Sequence, residues 1–91
     1  MSISDKIPTV SAEVVARVLE KETVLVLPTK GKVKVLNEVG TYIWGRIDGS
    51  RSAKEIAATL CEVYNVEFDE AETDVIDFLN QLVEREVITL I

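Results

Sequence analysis

Lysine and valine alternate over Lys32-Val33-Lys34-Val35-Leu36, a period of two that predicts a β-strand with its valines on one face and its lysines on the other. Thr23–Leu27 is almost wholly apolar and predicts a second strand, joined to the first by the turn Pro28-Thr29-Lys30-Gly31. Residues 13–19 fit helix or strand by periodicity alone; β-branched content and the following hairpin favour strand. The three segments predict an antiparallel meander in which Lys32–Leu36 lies at a sheet edge. Residues 1–10 read as a loose N-terminal arm.

The period then changes to that of helices. Asn37 caps a first helix over about Glu38 to Ile47, which carries Val39, Ile43, Trp44 and Ile47 on one side. Its glycines, Gly40 and Gly45, weaken it and suit a close approach of the sheet; Asp48-Gly49 ends it. Trp44 reads as a core residue, with an interface anchor as the alternative. Ser52 and Glu55 form a capping-box signature opening a second helix over about Ala53 to Tyr64, and Asn65 stands where a left-handed residue closes such a helix. A third helix, about Glu70 to Glu86 with Asp69 as N-cap, has Val75, Phe78, Leu79 and Leu82 in a sustained apolar stripe. Val87–Ile91 suits a short returning strand. Strands followed by helices define an α+β fold, here winged-helix-turn-helix-like: a three-stranded antiparallel sheet followed by three helices. The 91 residues argue for a single domain, 1–91.

Net charge is −6, unevenly spread. Residues 1–50 hold seven basic and six acidic residues, whereas residues 51–91 hold three basic and ten acidic ones. So acidic a helical half disfavours nucleic acid as a partner. Nothing is long and apolar enough to span a membrane, and the segment Met-Ser-Ile-Ser-Asp-Lys lacks signal-peptide character, so the cytoplasm is the expected compartment.

No chemistry-bearing motif stands out. The chain has no histidine and one cysteine, which removes imidazole acid–base catalysis, His–Cys nucleophile pairs and zinc or iron–sulfur sites. Glycine-rich nucleotide signatures are absent. The acids Asp69, Glu70, Glu72, Asp74 and Asp77 lack calcium-loop spacing and read as dipole complement and solvated face. No cofactor, no metal and no catalytic activity are expected. Function is sought instead at the edge strand, where a foreign extended segment can pair.

As a set, several stretches resemble the PqqD family. They are Leu36-Asn37-Glu38-Val39-Gly40 with Ile43-Trp44, then Ile47-Asp48-Gly49, then Glu55-Ile56-Ala57, and Asp74-Val75-Ile76-Asp77-Phe78-Leu79 with Leu82-Val83. The resemblance covers about residues 20–90 and implies a recognition element for ribosomally made, post-translationally modified peptides. It implies that a precursor's leader segment docks as an added strand between Lys32–Leu36 and the third helix. It also implies a maturation enzyme as second partner: a leader peptidase or cyclase system, as in lasso-peptide clusters, or a radical SAM protein, as in quinone-cofactor synthesis.

Carried onto this chain, the backbone template is Lys32, Val33, Lys34, Val35 and Leu36. The groove wall is Val75, Phe78, Leu79 and Leu82, and the rim is Asp74, Asp77 and Gln81. The two aspartates suit a basic leader residue, and Lys32 and Lys34 an acidic one. One departure concerns the end of the third helix, where many relatives carry Gly in place of Glu86. The rival readings are a winged-helix DNA-binding regulator and a structural accessory subunit of an enzyme. Against the first, residues 69–86 carry seven acids and one arginine where a reading helix needs base. A monomer and a swapped dimer both remain compatible with the exposed edge.

Overall fold

The computed structural model describes residues 3–91. Its strands are β1 (Pro8–Val10), β2 (Val15–Val18), β3 (Thr23–Leu27), β4 (Lys32–Leu36) and β5 (Ile88–Leu90), and its helices α1 (Glu38–Arg46), α2 (Ala53–Tyr64) and α3 (Phe68–Glu84). Strands β2, β3 and β4 form the expected antiparallel meander in that spatial order.

Register makes the two faces of this sheet unlike. Cross-strand partners Ala16, Leu25 and Lys34 share one face with Thr23, Leu36, Leu27 and Lys32. That is the core face, since Leu25, Leu27 and Leu36 are buried. The lysines of the edge strand therefore point to the core side, and their stems reach past its border to water. The outer face carries two rows, Val15–Val26–Val33 and Arg17–Val24–Val35.

The N-terminal arm is corrected by the structure. Pro8–Val10 pairs antiparallel with β5, matching Pro8 to Leu90 and Val10 to Ile88. Reciprocal backbone bonds between Ile7 and Ile91, at 2.8 and 3.0 Å, lengthen the pairing. Pro8 and Ile88 are buried by this two-stranded sheet, a pairing across the whole chain that no local turn signals. The first two arm residues lie outside the described residues.

Local capping explains the helix limits. The Asn37 side chain accepts a bond from the Gly40 amide at 2.9 Å and starts α1. Asp48 then accepts from the amides of Ser50 and Arg51, at 3.0 and 3.1 Å, which shapes the turn into α2 and holds its carboxyl below the usual range. Ser52 and Glu55 form both halves of a capping box. Asn65, at φ 52°, closes α2. Helix α3 begins at Phe68, earlier than expected, and Asp69 is not its cap. Glu67 occupies the N-cap without a side-chain bond, while half-buried Phe68 packs on the core and draws the first turn forward. Asp69 and Glu70 fall in that turn and complement its dipole.

One core joins the sheet to the helices through Leu25, Leu27, Leu36, Ile43, Ile56, Leu60, Val75, Leu79, Leu82 and Ile88. Trp44 is half-buried against it. Buried Thr23 donates its hydroxyl to Thr41 Oγ1 at 2.9 Å, which ties β3 to α1 without leaving a polar atom unmatched.

Candidate functional site: a groove beside the edge strand

Among the described residues β4 pairs with β3 alone, so its other side presents unbonded main-chain groups. Helix α3 runs past that edge in the opposite sense. Near its end, Glu86 forms an ion pair with Lys30, just before β4. Near its middle, Phe78 lies against Leu36 and Gly40, just after β4. A cavity of about 310 Å³ opens between strand and helix, lined from Lys34 through Asn37, by Val39 and Ile43 of α1, and by Asp74, Asp77, Phe78 and Gln81 of α3.

The residues expected at this site divide by position. Lys34, Val35, Leu36, Asp74, Asp77, Phe78 and Gln81 come together around the cavity. Val75, Leu79 and Leu82 are fully buried in the core and support the wall from behind. Lys32 and Val33 lie on β4 outside the cavity, and the Val33 side chain is on the outer face, 60% exposed. Of the apolar stripe on α3, Phe78 alone lines the cavity, because the other three side chains are buried in the core.

Helix α1 supplies what was missed. Asn37, Val39 and Ile43 line the cavity, and the i, i+4 spacing of the two apolar residues was the available signal. Gly40 lets the Phe78 ring approach: a Cβ there would meet Phe78 Cε1 at 3.0 Å and Leu36 Cβ at 3.3 Å. The cavity thus has an apolar floor and a charged border. Lys34 stands on one side and Asp74 and Asp77 on the other, yet the ion pairs among the described residues are Lys30–Glu86 and Arg51–Asp48. No charge is neutralised across the opening, so the border can meet charges of a ligand.

At the groove's end Lys30 holds the Glu86 carboxyl below its usual range by hydrogen bond and charge, and Glu86 raises the Lys30 ammonium in turn. On the far side of α1, burial and then the Glu38 carboxylate push the Tyr64 phenol up. Among the described residues no group of His, Cys, Asp or Glu is placed to hold a metal ion. No helix there is long and apolar enough to cross a membrane.

Scaffold and groove together define a winged-helix-like α+β protein that is open along one strand. Residues 22–88 match the family described as Coenzyme PQQ synthesis protein D (PqqD). The structure resembles TbiB1 in complex with the TbiA(beta) leader peptide at 30% identity and a TM-score of 0.82, over 88% of this chain and 93% of that one. It also resembles a lasso peptide synthetase B1 complexed with its leader peptide, at 23% identity and a TM-score of 0.81, over 90% and 96% of the two chains. A third likeness is to the PqqD truncation of Methylobacterium extorquens PqqCD, described as a stand-alone recognition element for ribosomally synthesised and modified peptides. There identity is 24% and the TM-score 0.78, over 97% and 93% of the chains. No curated protein matches. The chain belongs to the PqqD family.

Proposed function

We propose that this protein is a non-catalytic recognition element that binds the leader segment of a ribosomally made precursor as a strand added to β4, and presents it to a maturation enzyme. The observation that carries this reading is the open β4 edge lying beside a cavity with an apolar floor. About four new main-chain bonds at a net ~1 kcal/mol each make a weak grip on their own. One or two apolar leader side chains seated on Phe78, Val39 and Ile43 add roughly 2 kcal/mol each and offset the association entropy. The unneutralised border, Lys34 against Asp74 and Asp77, orients the segment by charge. The cytoplasm, where precursors are made, is the compartment this role requires. Titration of a panel of fluorescent leader peptides, the TbiA(beta) leader among them, tests the reading. Saturable binding that Phe78→Ala weakens supports it; no saturable binding to any leader opposes it.

The same reading gives the enzyme a seat. Antiparallel sheets with one covered face usually present polar residues on the other. Here Val15, Val33 and Val35 are more than half exposed on the outer face, and a pocket there is lined by Val15, Arg17, Leu19, Val24 and Val26, with Ala16 at its border. A leader strand on β4 extends these rows with its own outward side chains. An enzyme surface that is apolar, with a carboxylate for Arg17, therefore reads protein and leader together. Val26→Lys should leave leader binding intact and abolish leader-dependent processing; unchanged processing removes this assignment.

A further inference from the structure

We infer that Glu86, bridged to Lys30, closes one end of the groove and restricts the residue of a bound peptide strand that lies beside Lys32 to a small side chain. The inference rests on the peptide-binding reading of the groove. Glu86 sits in the left-handed region at φ 63°. The end of α3 does not need its side chain. The Glu86 amide bonds to the Val83 carbonyl at 3.0 Å and the Val87 amide to the Leu82 carbonyl at 2.9 Å, the two backbone bonds of a Schellman ending, which glycine makes without strain. A side chain is nevertheless held in a conformation that L-residues disfavour, and its polar partner is Lys30.

Lys30 is itself anchored. It sits on the single turn Pro28–Lys30, closed by Gly31 at φ 62°. The neighbouring Thr29 hydroxyl donates to the Glu13 carboxylate. The bridge therefore joins a fixed turn at the start of β4 to the fixed end of α3, and spans the gap between the groove's two walls. The cavity stops short of it, reaching neither Lys30, Lys32 nor Glu86. A strand laid along β4 meets the cavity at the Leu36–Phe78 end, whereas beside Lys32 the bridge crosses its path. The peptide residue that falls there must be small, or its side chain must break the bridge. Exposed bridges are weak, so the bias toward glycine, alanine or serine is about fivefold over a bulky residue.

Display selection of random linear peptides on the wild type, Glu86→Gly and Lys30→Met tests this. Glu86→Gly preserves the helix ending, so it removes the bridge without unfolding the site. The expected result is that wild-type-selected peptides share an apolar anchor and, at a fixed offset from it, the fivefold small-residue bias. In both variants the anchor persists and the bias vanishes. An anchor without a small-residue position in the wild type, or a bias that survives in both variants, overturns the inference while sparing the groove. Failure of the wild type to select any saturably bound peptide overturns the groove reading itself.

Discussion

Gly40 and Phe78 touch: a Cβ at residue 40 would lie 3.0 Å from Phe78 Cε1, so α1 and α3 meet where the groove floor begins. The absence of a side chain on one helix fixes the position of an aromatic ring on the other. Gly40→Ala gains about 1 kcal/mol of helix propensity but overpacks this contact at about 1–3 kcal/mol. A net loss of roughly 1 kcal/mol is expected in urea unfolding, together with weaker leader binding as the ring shifts. Unchanged affinity would separate Gly40 from the floor.

Phe78 and Leu79 are adjacent in sequence but serve different ends. Leu79 is fully buried, so Leu79→Ala should cost about 2–5 kcal/mol of stability. Half-buried Phe78 gives up less stability on truncation but loses the apolar floor, and leader affinity should fall about tenfold. Paired denaturation curves and leader titrations of the two variants check this division.

Glu86 offers a test of backbone strain free of the ion pair. Glu86→Gly and Glu86→Ala both lack the carboxylate, but glycine alone adopts φ 63° without cost. The glycine variant should melt about 4–8 °C above the alanine variant in calorimetry.

The Lys30–Glu86 pair also gives a pH dependence with a definite sign. The Glu86 carboxyl is lowered by Lys30, so its contribution is present above the ordinary carboxylate range and is lost as pH falls through the lowered value. The Lys30 ammonium is raised by Glu86, so its contribution is present below the ordinary lysine range and is lost as pH rises through the raised value. Both groups are exposed and the effect is small. In thermal melts, Glu86→Gln should show a shallower acid decline than the wild type, with a residual decline from Asp48, whose carboxyl is also lowered.

Local signals carried most of the fold. The Lys-Val alternation, the Ser52–Glu55 capping box and the left-handed Asn65 each depend on a few neighbouring residues and are found where expected. The β1–β5 pairing was not legible, because it joins chain ends through Pro8 and Leu90 with no turn between them. At the groove, the stripe on α3 showed which residues are apolar but not which way the helix is rolled. Burial of Val75, Leu79 and Leu82 leaves Phe78 facing the cavity. Val39 and Ile43 share one side of α1 by their i, i+4 spacing, but that spacing does not distinguish a core face from a groove floor. Glu86 stood out as a departure from its relatives, and its positive φ gives that departure a physical meaning.

Backbone amide hydrogen exchange, followed by NMR with and without a bound leader peptide, tests the central claim most directly. On leader binding, amides of Lys32–Leu36 that exchange freely in the unbound protein should become protected, with cross-strand contacts to the peptide on the side away from β3. Saturable leader binding with the exchange of the β4 amides unchanged would contradict strand addition at this edge.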